Sequence, residues 1–181
     1  MLSVREIQQS DVDLLCNYWF NSSEEHLQRM GADIKKLPSR EVFTLMLNEQ
    51  LNTPVEQKKS YCIIWLNEGK PVGHSNTNPT RFGEEATMHL HLWSSENRKK
   101  GMGTRLVEMT LKLFFEHLKL KKLFCEPYAL NPAPNKTLEK AGFSFVKEYV
   151  TIPGSINFEQ PVKRWEMTRE SFLAKQSQIP L

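Results

Sequence analysis

The chain has 181 residues, of which 39% are hydrophobic and 25% are charged. This composition predicts that residues 1–181 form a single globular domain, and it excludes disordered or collagen-like chains. Its longest apolar run, Tyr61 to Leu66, is far shorter than the roughly 20 residues that span a bilayer. The net charge of +3 is small for a nucleic-acid-binding domain, and the N-terminus shows no signal-peptide pattern, so neither membrane nor nucleic acid is expected as a partner.

The three cysteines Cys16, Cys62 and Cys125 are widely spaced, and no C-x-x-C pair is present. This pattern excludes a disulfide framework and a zinc finger, and it favours a reducing, cytoplasmic location.

The first part of the chain is predicted to contain one strand and several helices. Ser10-Asp11 and Ser39 are good helix N-caps, because their side chains accept hydrogen bonds from free backbone N–H groups. The predicted elements are a strand over Leu2 to Ile7 and helices over Val12 to Phe20, Glu24 to Met30 and Arg40 to Leu51.

The rest of the chain alternates strands with two helices, which predicts an α/β or α+β fold with a mixed sheet. Asn67 to Lys70 is a turn signal between the first two of these strands. The predicted strands are Ser60 to Leu66, Pro71 to Asn76, Ala86 to Trp93, Lys121 to Glu126, Phe143 to Thr151 and Val162 to Met167, and the helices are Gly103 to Leu118 and Ala133 to Ala141.

Two of these elements have distinct faces. The strand up to Trp93 alternates, with His89 and His91 on one face and Met88, Leu90 and Leu92 on the other. The helix from Gly103 is predicted to be largely buried, because its apolar stripe is wide. That stripe is Met102, Leu106, Met109, Leu113 and His117, extended by Val107, Leu111, Phe114 and Leu118.

The segment from Trp93 to Thr104 is predicted to bind an anion. Gly101 and Gly103 let the backbone turn tightly and approach a ligand closely. The first-turn N–H groups of the following helix have no partners within the helix, and the helix dipole adds positive charge there. Arg98, Lys99 and Lys100 supply full positive charges beside this site.

Two common phosphate-binding patterns do not fit this segment. A Walker A loop needs a lysine after its last glycine, and a dinucleotide fingerprint needs a third glycine where this chain has Leu106. The alternatives weighed are an ATP-dependent transferase, which lacks its lysine here, and a nucleic-acid-binding domain, which lacks interleaved aromatic residues near Arg98.

The pattern that is present resembles a known family. Arg98-Lys99-Lys100-Gly101-Met102-Gly103 is similar to the pyrophosphate motif [RQ]-x-x-G-x-[GA] of the GNAT superfamily of acetyl-CoA-dependent N-acetyltransferases. The segment from Asn131 to Phe143, which ends in Glu-Lys-Ala-Gly-Phe, resembles the N-x-x-[SA]…E-K-x-G-F segment of that superfamily and is most similar to its RimJ/RimL-like branch. These motifs cover about Met88 to Phe143.

The resemblance implies a mostly antiparallel central sheet of about seven strands with flanking helices, which opens between its fourth and fifth strands to hold acetyl-CoA. The acetyl group would pass directly to a primary amine, without an acyl-enzyme. The residues that it implies at the cofactor are Leu92, Trp93, Arg98, Lys99, Lys100, Gly101, Met102, Gly103, Thr104, Asn131 and Asn135.

Proton transfer has four candidate residues. His89 and His91 share a strand face and titrate near neutral pH, and the resemblance puts Glu126 and Tyr128 close to the same cleft. The chain also departs from the family pattern, because Leu138 stands where many members have a tyrosine that protonates the thiolate. Pro134 stands where a serine is usual, and Asn135 is the candidate to replace its hydrogen bond.

The expected acceptor is a protein N-terminus or a small amine, and a homodimer is common for such folds. The two histidines lack a third ligand at a suitable spacing, so no metal is expected. A non-catalytic acyl-CoA sensor on the same fold is the alternative, because the tyrosine acid is missing.

Overall fold

A computed structural model describes residues 1–93 and 101–177. Its strands are β1 (Leu2–Glu6), β2 (Tyr61–Asn67), β3 (Lys70–Arg81), β4 (Glu85–Leu92), β5 (Lys122–Cys125), β6 (Ser144–Thr151) and β7 (Gln160–Thr168). Its α-helices are α1 (Val12–Asn21), α2 (Glu24–Arg29), α3 (Arg40–Asn52), α4 (Met102–His117), α5 (Pro132–Lys140) and α6 (Arg169–Gln176). Within these two ranges, no helix combines the length and the apolar character that crossing a membrane requires.

The strands form one seven-stranded sheet in the order β1-β2-β3-β4-β5-β7-β6. Every neighbouring pair is antiparallel except β4 and β5, which run parallel. The predicted fold class, a mixed and mostly antiparallel sheet with flanking helices, is confirmed.

The sheet is covered by helices on both faces, and β2 shows why. Its side chains alternate, so Ile63 and Trp65 join the core cluster that contains α4, whereas Ile64 packs with Leu15 of α1 on the other face. Because both faces are covered, the first five residues of β2 are buried and apolar.

The predicted stripe of α4 was wrong at its centre. Met109 is 37% exposed, whereas the buried face includes Thr110 and Phe115. Thr110 is buried because its Oγ1 accepts a hydrogen bond of 2.8 Å from the indole nitrogen of Trp65. Apolar periodicity does not predict a polar residue at a buried position.

Helix α6 and the second half of β3 were not predicted. The helix is short and polar, and Phe172 is its buried residue, stacked on Phe115 with 4.6 Å between ring centroids. Strand β3 continues to Arg81 through Pro79, in a stretch where its register with β4 shifts. Proline is tolerated at such irregular strand positions, so it did not end the strand.

Candidate active site

The sheet opens between β4 and β5. Their pairing covers three residue pairs, from Glu85↔Lys122 to Thr87↔Phe124, although β4 continues to Leu92. At the end of β5, Cys125 pairs with Trp165 of β7. Beyond Thr87, no described strand pairs with this side of β4, and a gap therefore lies in the middle of the sheet.

The main chain of β4 presents polar groups to this gap. Towards β3, the N–H of Trp93 donates to the carbonyl of Val72 at 3.0 Å, and the carbonyl of His89 accepts from Ser75 Oγ at 2.6 Å. Successive residues of a strand direct their main-chain groups to opposite sides, so those of Leu90 and Leu92 face the gap. Leu92 is among the residues predicted at the cofactor, and the strand register places the main-chain groups of Leu90 on the same side.

Helix α4 begins beside the end of β4. Gly101 is its N-cap and has φ +74°, a left-handed conformation that glycine adopts at little cost. The first-turn N–H groups of Met102, Gly103 and Thr104 have no acceptor one turn earlier in the helix, a geometry that favours an anion at this end. Arg98, Lys99 and Lys100, also predicted here, lie outside the described residues.

Gly103 forms the floor of a groove between β4 and α5. A Cβ atom at this position would lie 3.7 Å from Leu92 Cδ1 and 3.8 Å from Thr137 Oγ1, which are ordinary contacts. The missing side chain therefore leaves room between the end of β4 and α5. Thr137 was not predicted here, since the packing of α5 against α4 brings it to the groove. The gap fits the extended arm of CoA, and the first-turn N–H groups of α4 fit its pyrophosphate.

The two asparagines predicted at the cofactor differ in their surroundings. Asn131 is the N-cap of α5 and is half-buried, and its side chain makes no capping hydrogen bond. Asn135 is buried, and its amide nitrogen donates to the carbonyls of Tyr128 at 3.1 Å and Asn131 at 2.8 Å. Its oxygen accepts from the indole N–H of Trp165 at 2.9 Å. The amide of Asn135 thus holds the turn between β5 and α5.

His89 and His91 lie on the same face of β4, and each has a defined neighbour. Nε2 of His89 is 2.9 Å from the carbonyl oxygen of Asn78. Nδ1 of His91 is 3.2 Å from the hydroxyl of Tyr18 in α1, and its ring stacks on His74 with 4.6 Å between centroids. Tyr18 and His74 were not predicted at the site, because they lie far from His91 in sequence.

These histidines are held in the neutral form. Burial lowers the pKa of His91 well below 6.5, and the nearby His74 and His89 lower it further. Burial also lowers the pKa of His89, and it lowers that of His74 to about 3. A neutral imidazole has a free lone pair for a proton but, with so low a pKa, holds that proton only weakly.

Glu126 directly follows β5 and is 11% exposed at its side chain. Its Oε1 lies 2.6 Å from Arg164 Nη1 and accepts from the hydroxyl of Tyr149 at 2.5 Å. Desolvation and this hydrogen bond raise the pKa of Tyr149. The Glu126 carboxylate therefore already has two strong partners within the protein.

Tyr128 borders a cleft of about 340 Å³ beside the end of β5. Its ring meets that of Phe158 edge-on at 5.9 Å. The other lining residues include the carboxylates Glu24 and Asp33, and neither forms an ion pair with the described residues. The full lining is Glu24, Gln28, Ala32, Asp33, Ile34, Tyr128 and Phe158. The cleft is thus partly apolar and carries negative charge.

Within the described residues, neither the cysteines nor the metal-binding side chains indicate a further site. Cys16, Cys62 and Cys125 are buried free thiols, and burial raises the pKa of Cys125, so a thiolate nucleophile is disfavoured there. Across residues 1–93 and 101–177, no group of three or more His, Cys, Asp and Glu side chains is arranged to hold a metal ion.

A mixed sheet that opens between parallel strands, next to a helix N-terminus flanked by glycines, is the architecture of an acyl-CoA-dependent acetyltransferase. Residues 2–144 match the family of the acetyltransferase (GNAT) domain. The chain therefore belongs to the GNAT family. No protein of curated function matches the chain in sequence.

Solved structures share the fold over nearly the whole chain. One is the spermidine N-acetyltransferase from Vibrio cholerae in complex with CoA and spermine, with a TM-score of 0.76, 17% identity and coverage of 95% of this chain and 98% of that chain. Another is the aminoglycoside acetyltransferase AAC(6')-Ib in complex with coenzyme A and kanamycin, with a TM-score of 0.71, 19% identity and coverage of 97% and 99%. At these identities, the likeness concerns the fold.

Family membership confirms the enzyme class and the cofactor that the two motifs predicted. The protein is an acyl-CoA-dependent N-acetyltransferase, and its cofactor is acetyl-CoA. The residues assigned to catalysis and to cofactor binding stay predictions.

Proposed function

We propose that the protein transfers an acetyl group from acetyl-CoA directly to a primary amine of a small acceptor that carries more than one positive charge. The observation that carries this proposal is the cleft between α2 and the segment that follows β5. It combines the rings of Tyr128 and Phe158 with the carboxylates of Glu24 and Asp33. Carboxylates attract ammonium groups, and aromatic rings pack against the methylene groups between them.

The acceptors of the structural neighbours support this choice. Spermine and kanamycin, found in two of those structures, are both small molecules with several amino groups. The RimJ/RimL-like branch, a protein N-terminus as acceptor, a homodimer and a cytoplasmic location remain proposals that rest on the sequence alone.

The proposed reaction takes place in the gap beside β4. When bound, acetyl-CoA supplies an activated acetyl thioester. The N–H groups of Met102, Gly103 and Thr104 bind the pyrophosphate at the start of α4. The main-chain N–H of Leu90 faces the gap and donates to the oxygen on which negative charge develops.

The chain must also manage two protons. His91 is neutral, so its free lone pair accepts a proton from the acceptor ammonium. Leucine occupies the position of the usual tyrosine acid, so no side chain there can protonate the thiolate. Leu138 is instead fully buried in the core. A thiolate has an unperturbed pKa of about 8.5, so water protonates the departing thiolate without a dedicated residue.

Acetyl-CoA is expected to stabilise the protein against heat. A ligand present at about 100 times its dissociation constant adds about 2.7 kcal/mol to the free energy of unfolding. Thermal melting with acetyl-CoA, ATP and NAD measures this, and acetyl-CoA alone should raise the melting temperature. A shift with ATP or NAD instead of acetyl-CoA would contradict the assignment. If acetyl-CoA binds but no amine releases the CoA thiol, the non-catalytic sensor is favoured.

The cleft predicts a preference for diamines over monoamines. Changing Glu24→Gln together with Asp33→Asn removes both negative charges, while the new asparagine side chain keeps the oxygen that accepts from the N–H of Lys35. Partly exposed ion pairs contribute up to about 1 kcal/mol each, so the KM for a diamine should rise about 3- to 10-fold. The KM for a monoamine of the same chain length should change little. Steady-state kinetics with both amines measure the difference.

The control is Glu25→Gln, which removes one negative charge from an exposed position of α2 that does not line the cleft. The control should leave both KM values unchanged. Equal increases for the diamine and the monoamine, or an equal effect of Glu25→Gln, would show that the cleft does not bind the second ammonium.

A further inference from the structure

Tyr18 links two histidines that lie on different elements. Its hydroxyl is 3.2 Å from Nδ1 of His91 in β4 and 3.3 Å from Nε2 of His26 in α2. Tyr18 itself is 7% exposed, whereas His26 and His91 are half-buried. The three side chains therefore form a continuous line from the α1 face of β4 to helix α2, which also lines the acidic cleft.

The Tyr18 hydroxyl has one hydrogen and can accept others, so it can both receive and donate in this line. A third neighbour is Met30, whose sulfur lies 3.1 Å from the hydroxyl. A thioether is a weak acceptor, whereas an imidazole nitrogen is a strong one. Of these three described neighbours, Nε2 of His26 is the best acceptor for the hydroxyl hydrogen, and the oxygen then accepts from an N–H at Nδ1 of His91.

Aromatic side chains enclose the line. Trp19 meets the His91 ring at 5.0 Å between centroids and the Tyr18 ring at 5.3 Å. Trp93 stacks on Tyr18 at 6.2 Å, and its indole nitrogen donates to His74 Nδ1 at 2.8 Å. Because these rings occupy the space around Tyr18, its hydroxyl offers a path for a proton from His91 towards α2.

The proposed reaction needs such a path. A primary alkylamine has a pKa of about 10, so near neutral pH only about one molecule in a thousand carries the free lone pair that attacks the thioester. His91 can accept the surplus proton but holds it weakly, because burial lowers its pKa well below 6.5. A group that passes the proton on would keep His91 neutral for the next transfer.

We propose that Tyr18 and His26 are positioning residues that relay the proton of the acceptor ammonium from His91 to solvent. The inference rests on the proposed function. Among the described residues, the titratable groups that act electrostatically on His91 are His74 of β3, His89 of β4 and His26 of α2, and all three are histidines.

The proton balance of one transfer is simple. The ammonium N–H bond breaks as Nε2 of His91 gains the proton, and Nδ1 of His91 gives its hydrogen to the Tyr18 oxygen. The hydrogen of Tyr18 moves to Nε2 of His26, and His26 then releases the hydrogen on its Nδ1 to water. Each group ends with as many protons as it had at the start, but the tautomers of both histidines are exchanged. A half-turn of each imidazole ring restores the starting tautomers before the next transfer.

Tyr18→Phe tests the relay, because it removes the hydroxyl and keeps the ring. Near neutral pH, kcat/KM for the amine should fall about 10-fold or more, as general-base steps contribute 10²–10⁴-fold. The loss should shrink towards none as the pH approaches about 10, since the acceptor is then already neutral. His26→Gln should behave in the same way, because glutamine hydrogen-bonds to Tyr18 but does not titrate. A loss of the same size at every pH, or wild-type rates, would overturn the relay.

Tyr61→Phe is the matched control. The Tyr61 hydroxyl is 2.6 Å from Nδ1 of His117, so this variant also removes one tyrosine–histidine hydrogen bond, but on the α4 face of the sheet. Its pH profile of kcat/KM should match that of the wild type. If Tyr61→Phe gave the same pH profile as Tyr18→Phe, the effect of Tyr18→Phe would be a general result of losing a tyrosine hydrogen bond, and the relay would be overturned.

A second measurement does not depend on activity. Nitrogen NMR of the histidine rings should show His91 protonated at Nδ1 and His26 unprotonated at Nε2, and Tyr18→Phe should shift both signals. The opposite tautomers would overturn the relay. If the wild-type protein acetylates no amine, the proposed function fails, and the tautomers alone then decide whether the relay exists.

Discussion

Gly103→Val is expected to weaken CoA binding at least about 100-fold while the protein stays folded. The new side chain would enter the groove between Leu92 and Thr137 and would block the approach of the pyrophosphate to the first turn of α4. Hydrogen bonds to a charged group contribute about 1.5–3 kcal/mol each, so the loss of two accounts for this factor. Isothermal titration calorimetry with CoA measures it.

The fold should tolerate the change, since a Cβ atom at Gly103 meets its neighbours at 3.7 Å or more, and valine has a higher helix propensity than glycine. Met109→Val is the control, because it places a β-branched residue at an exposed position of the same helix. That variant should bind CoA as the wild type does. An unchanged CoA affinity in Gly103→Val would remove the assignment of this segment as the pyrophosphate site.

Asn135→Leu is expected to lower the free energy of unfolding by about 3 kcal/mol, since it strands the buried indole N–H of Trp165 and removes the donor for two carbonyls. Thr110→Val also leaves the indole N–H of Trp65 without its acceptor, but it disrupts no turn. It should therefore lower the free energy of unfolding by about 1–2 kcal/mol. Urea unfolding of both variants measures the difference.

The same variant separates two roles for Asn135. If its amide only holds the turn before α5, the CoA dissociation constant of the folded variant should change less than about threefold, which is under 1 kcal/mol. A much larger loss of CoA affinity, with stability no lower than that of Thr110→Val, would instead support the cofactor contact predicted from the sequence.

The sequence predicts local features of this site better than its long-range contacts. The alternation of β4 and the position of Gly101 and Gly103 before α4 are local, so periodicity and glycine chemistry predict them. Helix α6 was not predicted, because it has one buried residue and no apolar repeat.

The contacts of the candidate site depend instead on packing. Tyr18 and His91 are 73 residues apart in the chain, and Glu126 and Arg164 are 38 apart. No spacing rule links such pairs, because they meet only when helix α1 packs on the sheet and β7 aligns beside β5. The sequence could therefore supply four candidates for proton transfer, His89, His91, Glu126 and Tyr128, but it could not supply their partners.

Because only three described residue pairs join β4 to β5, this short pairing separates the sheet into two halves. Strands β1 to β4 form one antiparallel half and β5 to β7 form the other, and neighbouring strands within each half are paired antiparallel. The proposed chemistry takes place at the seam between these halves. Any tilt of one half against the other would change the width of the seam. A molecule bound along the seam acts as a cross-link between the two halves.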